Sequence, residues 1–307
     1  MDQGTGNSKK EKKNDSHIIP LIDLRKKGVV YEDVRRFPDS IYEHVYARAV
    51  KAVEQIAADS RKIEAFGNKE AGRKDLEIAN VISFIGRRGT GKSSALLSFQ
   101  KALRQYRRSR DVYYEKQELS FSRNADMEDV RFFTLDCIDA AAMEDSESVF
   151  TLVLANILVK IGEYSEQADQ AESSYLKRSL QQKLGEIFKD YTSLAASQKD
   201  IGEYSAFEYL KNSASSQRIR VKFSQMVQEC LQYFLECSHS SARKAFLVIA
   251  VDDLDMAHYN SRVSGCGKVN AHSYEIMREI SKYFSVPGII VLAAYNHTNL
   301  LQQCSGF

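Results

Sequence analysis

Residues 86–93 read Gly86-Arg87-Arg88-Gly89-Thr90-Gly91-Lys92-Ser93, and no other stretch of the chain constrains its fold as tightly. Three glycines this close together interrupt helix and strand alike and mark a tight loop. The apolar run Val81-Ile82-Ser83-Phe84-Ile85 precedes it, and the helix-compatible stretch Ser94-Ala95-Leu96-Leu97-Ser98-Phe99 follows. A strand, a G-x-x-x-x-G-K-[ST] loop and a helix in that order form a cradle for phosphate. The loop amides point inward, and the helix adds its positive end. Lys92 is suited to the β and γ phosphates, and the Ser93 hydroxyl to Mg²⁺. The expected nucleotide-binding set is therefore Gly86, Arg87, Arg88, Gly89, Thr90, Gly91, Lys92, Ser93 and Ser94. Arg87 and Arg88 fill free positions of the motif and have two readings, solvated charges or contacts to a neighbouring subunit or domain. The bland alternative for the whole loop is a glycine-rich turn that binds nothing.

The rest of the chain alternates apolar runs with amphipathic stretches. Val130–Leu135 reads as a second strand, leading into Asp136-Cys137-Ile138-Asp139. Ala245–Val251 and Gly288–Ala294 are continuous apolar runs, the pattern of strands buried on both faces of a parallel sheet. Helices are expected at about 92–107, 147–163 and 270–285. Upstream, Ser40-Ile41-Tyr42-Glu43 reads as a capping box, with Ile41, Val45, Ala49, Val53 and Ile56 on one buried face of the helix it opens. Residues 165–243 read as a helical insertion. Leu176, Leu180, Leu184, Ile187 and Phe188 line one helix of it, and Val221, Phe223, Met226, Val227, Cys230, Leu231, Phe234 and Leu235 another. The organisation expected is a disordered tail at 1–16, a helical extension at 17–78 and an α/β core at 79–307 that carries the insertion.

The third strand ends in Asp252-Asp253-Leu254-Asp255. Carboxylates directly after a buried strand are the magnesium-side partner of a phosphate loop, the Walker B element. Asp252 is placed to hold Mg²⁺, directly or through water, and Asp253 to orient or deprotonate an attacking water. Asp255 either assists or caps the next helix. Acidic groups this close repel one another, and a bound cation removes that cost. The fourth strand ends at Tyr295-Asn296, where the Asn296 amide can bond the water or the γ-phosphate, or simply form a turn. His258 and His297 lie near the same edge without a second histidine at metal-ligand spacing.

Composition narrows the class. With Lys+Arg 43 against Asp+Glu 41, the charge gives no support to a wholesale nucleic-acid coat. Local patches remain, chiefly Arg104, Arg107, Arg108 and Arg110 after the loop helix, readable as a nucleic-acid contact or as a solvated helix end. The five cysteines lack C-x-x-C spacing, which fits a reducing compartment, and Cys230 and Cys237 sit a heptad apart as core residues. No run approaches the roughly 18–20 apolar residues of a membrane span. The N-terminus is charged, unlike a secretory signal. Cytoplasm is the expected compartment, with no membrane partner.

Together, the G-x-R-G-x-G-K-S loop, the strand ending in Asp-Asp-Leu-Asp and the strand ending in Asn resemble the additional-strand P-loop ATPases, closest to the AAA+ and STAND/KAP-type branches. Phe133–Asp139 is similar to a variant seen in large bacterial ATPases, some of which act in antiphage defence, including the ATPase component of the RADAR system. The resemblance covers about residues 40–110, 130–163 and 245–303 and leaves the insertion unexplained. It implies a P-loop NTPase three-layer sandwich with strand order 5-1-4-3-2. It also implies Lys92 and Ser93 on phosphate and magnesium, Asp252 on magnesium, Asp253 as the catalytic acid and Asn296 as sensor 1. A homo-oligomeric ring or stacked assembly would follow, with an arginine acting in trans, for which Arg278 is one candidate, and an effector enzyme encoded nearby. Two departures stand out. Asp253 replaces the glutamate of many relatives, and the sequence stops at Phe307, before the fifth strand, the helical lid and a sensor 2 arginine. A piece of a longer protein is the expectation.

The leading functional expectation is Mg²⁺-dependent ATP binding and hydrolysis that drives or gates an oligomeric assembly. A slow nucleotide-gated switch or scaffold is the alternative, and an initiator-like ATPase that loads nucleic acid is a third. A small-molecule kinase is a distant fourth. ATP is favoured over GTP because no guanine-reading N-K-x-D element occurs.

Overall fold

Alternating side chains of two long apolar strands organise the molecule. In the computed structural model, β4 (Lys244–Asp252) and β5 (Ile289–Tyr295) lie side by side and parallel at the centre of a sheet. Phe246, Val248, Ala250, Ile290, Leu292 and Ala294 point to one face, while Leu247, Ile249, Val251, Ile289, Val291 and Ala293 point to the other. Both sets are buried, so helices must cover both faces, and they do. The structure describes residues 43–67, 79–106, 127, 129–144, 147–166, 171–199, 206–256 and 271–296. The tail at 1–16, the capping residues 40–42, Arg107, Arg108, Arg110, His258, His297, Cys266 and Cys304 lie outside them.

The sheet runs β1-β5-β4-β2, with β1 at Val81–Ile85 and β2 at Val130–Thr134. Every pairing is parallel. This order matches the 1-4-3-2 portion of the expected arrangement, once the central strands are counted as the third and fourth long runs. A fifth strand outside β1 has no counterpart among the described residues. The two-residue β3 (Ile138–Asp139), which the sequence reading did not separate from β2, pairs with the far end of β4 in the register Asp139↔Asp252.

One face carries α1 (Glu43–Gly67) and α2 (Lys92–Gln105). The buried stripe of α1 is Tyr46, Ala49, Val53, Ile56 and Ala57. Val45, expected on that stripe, is 39% exposed, because the face is centred one residue later, on Tyr46. The Tyr46 ring stacks on Phe99 of α2 at 6.0 Å, which fixes α1 against the loop helix.

The other face carries α3 (Val149–Glu166), α4 (Ala171–Lys199), α5 (Ala206–Cys237) and α6 (Ala271–Phe284). All four expected core residues of α3, namely Val149, Val153, Ile157 and Ile161, are buried. The inserted helices are no appendage. Their buried residues share a cluster with Phe133, Leu247 and Val291 of the sheet. Leu180, Leu184 and Ile187 form the inner stripe of α4, whereas Leu176 and Phe188 are exposed. Phe188 lies about 100° round the helix from Ile187 and so leaves the stripe. On α5, Val221 likewise faces out, while Phe223, Met226, Val227, Cys230, Leu231 and Phe234 are buried and Leu235 is partly covered. Cys230 and Cys237 are core residues, as their heptad spacing predicts. No helix among the described residues is long and apolar enough to cross a membrane.

Candidate functional site

The carboxyl ends of β1, β4 and β5 deliver three polar segments to one edge of the sheet, the place where open parallel sheets bind ligands. The loop leaves β1 at Gly86, whose N–H donates to the Tyr295 carbonyl of β5 at 3.3 Å. Gly89 (φ 80°) and Gly91 (φ 81°) are left-handed, so glycine is required for the loop's path. Gly86 is required for another reason. A Cβ there would sit 2.5 Å from Thr90 Oγ1. The Thr90 hydroxyl turns back to donate to the Arg87 carbonyl at 2.8 Å, and Lys92 Nζ donates to the same oxygen at 3.4 Å. Arg87 thus serves the loop through its backbone, while its side chain and that of Arg88 are exposed.

α2 begins at Lys92 with Gly91 as its N-cap, and no side chain caps it. Its first-turn amides and the positive end of its dipole therefore face the loop, the arrangement that favours an anion. Ser93, one residue into the helix, reaches across to β4. Its Oγ donates to Asp252 Oδ1 at 3.0 Å. Residues 159 positions apart in sequence meet here, which joins the glycine loop to the acidic strand end.

Asp252 is buried, and burial is the main cause that raises its pKa above the ordinary carboxylate range. The Ser93 hydrogen bond opposes that shift, while the charges of Asp253 and Asp139 add to it. Asp253 is left-handed (φ 51°), and its N–H donates to Asp252 Oδ1 at 2.8 Å. The chain therefore turns off the strand directly after Asp252. A non-glycine residue in that conformation is uncommon and tends to mark functional positions.

Asp255 has a partner that its sequence context did not suggest. It sits buried in the 3-10 turn Leu254–Met256 and accepts the Asn296 N–H at 2.8 Å. It ties the end of β5 to the end of β4 and so positions Asn296. Ser94 and Asn296 are half-buried at this edge, and Arg278 is exposed on α6.

Two neighbours of Asp252 were assigned no role from sequence. Asp139 pairs with it in register across β3, and Cys137 lies close enough for the Asp252 charge to act on its thiol. Burial first, then the charges of Asp252, Asp139 and Asp253, push the Cys137 thiol up to about 12. The available signal was the spacing Asp136-Cys137-Ile138-Asp139 after a strand. It shows that acids follow β2 but not which strand they face. Among the described residues, no three His, Cys, Asp or Glu side chains gather into a metal cage. Ser93 and Asp252 are the residues that could hold a metal here, since Mg²⁺ needs few protein ligands when phosphates and waters complete its shell. No family model matches the chain, and no curated protein matches it.

Proposed function

We propose that the chain is a P-loop nucleoside triphosphatase that binds ATP with Mg²⁺ at the edge formed by β1, β4 and β5. The observation that carries the reading is the 3.0 Å contact between Ser93 Oγ and Asp252 Oδ1, which joins the two halves of a phosphate and metal site. The residues present fit the ligand. The loop's path needs glycine at Gly89 and Gly91, Gly86 has no room for a Cβ, and the uncapped start of α2 offers amides to phosphate oxygens. Ser93 and Asp252 would hold the magnesium, whose chemistry is to neutralise charge on the phosphate oxygens. Lys92, now on the Arg87 carbonyl, has a flexible stem that lets it swing to phosphate. Asp253 would orient the attacking water and accept its proton, and Asn296, held by Asp255, would bond the water or the γ-phosphate.

Hydrolysis would drive or gate a homo-oligomeric assembly. That part, together with a bacterial antiphage role and an effector enzyme as partner, rests on the family resemblance alone. A slow nucleotide-gated switch is the second reading. Asp253 favours it, since an aspartate reaches less far than a glutamate and here sits on a left-handed backbone.

Calorimetry with MgATP and steady-state turnover test the proposal. Binding that Lys92→Ala abolishes, with turnover that Asp253→Asn abolishes, is expected for the ATPase. Binding without turnover selects the switch. No heat from MgATP with the intact chain would end both readings.

A further inference from the structure

A cavity of about 360 Å³ lies against the sheet-edge strand β2, and its lining residues include none from the glycine loop or the Asp252 turn. Its size falls in the range of sites for small ligands. Three cationic side chains from three elements line it, Arg104 at the end of α2, Arg131 on β2 and Lys160 on α3, together with the His239 imidazole just beyond α5. No Asp or Glu is among its described lining residues. In a chain whose formal net charge is only +2, this is a local concentration of charge rather than a reflection of composition.

The cations are held in place. The Arg131 guanidinium lies 5.6 Å from the Phe133 ring centroid and Lys160 Nζ lies 5.9 Å from that of Tyr164, so the aromatic surface beneath them restricts both. Lys160 also pairs with Glu163 at 2.8 Å, a contact that a bound phosphate would have to share. Ser238 and Thr134 add hydroxyls.

His239 is the second observation. Its N–H donates to the Glu236 carbonyl and the Ser240 N–H to the Leu235 carbonyl, each at 3.1 Å, the two bonds of a Schellman helix end. The residue at this position is left-handed, and glycine is its usual occupant. Here it is a histidine with φ 46°. The fold accepts a less comfortable residue at the one place where its side chain lines a basic cavity.

We propose that this cleft is a second anion site, separate from the nucleotide edge, and that it binds a phosphate group through Arg104, Arg131, Lys160 and His239. The phosphate comes either from a free phosphate ester or from the backbone of a single-stranded nucleic acid. Arg104 begins the arginine-rich stretch of residues 104–110, whose nucleic-acid reading the nucleotide site does not absorb.

The test titrates the full chain with a nucleoside monophosphate by calorimetry and with a short fluorescent single-stranded oligonucleotide by anisotropy. Arg131→Gln combined with Lys160→Gln is expected to weaken binding by roughly 10-fold to 100-fold, the loss typical of charge-assisted hydrogen bonds. Arg104→Ala, at an exposed helix end where the fold tolerates it, is expected to weaken binding by roughly 10-fold. His239→Gly separates site from scaffold. Glycine suits the left-handed position, so the melting temperature holds or rises while affinity falls by about threefold. Affinity for the monophosphate identifies the free ester as the source. Affinity for the oligonucleotide alone, falling steeply with salt, identifies the strand backbone. Binding that Lys92→Ala removes and the cavity variants keep belongs to the glycine loop and overturns the proposal. So does the absence of binding by either probe at roughly millimolar concentration.

Discussion

The glycine-loop edge and the insertion face are built by opposite means. At the edge, shape comes from the backbone: left-handed Gly89 and Gly91, a Gly86 with no room for a Cβ, and carbonyls of Arg87 and Tyr295 that hold the loop. On the insertion face, shape comes from rings. Phe150 lies 4.9 Å from Tyr191, 5.1 Å from Phe223 and 4.5 Å from Tyr283, measured between centroids, and is fully buried. The difference separates stability from chemistry. Removing atoms from the ring cluster should cost folding energy and leave the chemistry of surviving molecules intact, whereas changes at the edge should do the reverse.

The largest expected effect tests the first half of that contrast. Phe150→Ala should destabilise by about 3–5 kcal/mol, the range for truncating a buried phenylalanine. Denaturant unfolding measures it. A loss under about 1 kcal/mol would mean the cluster collapses around the gap and that the insertion face is not the stability centre. Lys92→Ala tests the second half. It should leave unfolding within about 0.5 kcal/mol of the parent and lower turnover by at least roughly 10²–10³-fold, the loss typical of removing a single preorganised hydrogen-bond donor to developing charge. Comparable losses in both measurements would erase the distinction between the two regions.

Gly86→Ala sharpens the comparison inside the loop itself. The added Cβ meets Thr90 Oγ1 at 2.5 Å, and the hydroxyl is already committed to the Arg87 carbonyl. About 1–3 kcal/mol of overpacking is expected, with a loss of MgATP affinity. Thr90→Ala in the same chain should recover part of both. A double-mutant cycle reads the coupling, which should be near zero if the loop simply shifts.

The same contrast explains what the sequence disclosed. Glycine spacing, a lysine and a serine lie within eight consecutive residues, so the loop was legible directly. The runs that became β4 and β5 were legible because both faces of each strand are apolar. The pairing of Asp139 with Asp252 was not, because register between distant strands leaves no local trace. Nor was the role of Asp255, whose partner lies 41 residues away. Arg104, Arg131 and Lys160 are scattered over three elements and His239 follows a fourth, and only the folded edge collects them. On α1, a helical period with two adjacent candidates, Val45 and Tyr46, did not say which one centres the buried stripe.

The smallest expected effect concerns the seam that joins the insertion to the core. Glu279 of α6 accepts a hydrogen bond from the Tyr191 hydroxyl of α4 and another from the Phe150 N–H at the start of α3, the latter at 3.3 Å. Burial raises its pKa above the ordinary carboxylate range. The Tyr191 and Phe150 hydrogen bonds and the Arg278 charge oppose the shift, and the Glu275 charge adds to it. The sign is the reverse of a salt-bridged carboxylate. Between the unfolded and the folded pKa the native state holds a proton that the unfolded chain has released, so stability falls as pH rises through that window. Glu279→Gln keeps an acceptor for the Phe150 amide and places a donor beside Tyr191, with no charge to bury. The variant should therefore gain on the parent as pH rises from about 4, near the unfolded carboxylate value, and the gain should level off once the folded group has ionised. Urea unfolding of both chains across that range reads the difference directly. A constant offset at every pH would mean that Glu279 keeps an ordinary pKa. An offset that shrinks with rising pH would mean that the ionised carboxylate is what Tyr191 and the α3 amide stabilise, and that the seam is held by charge rather than by shape.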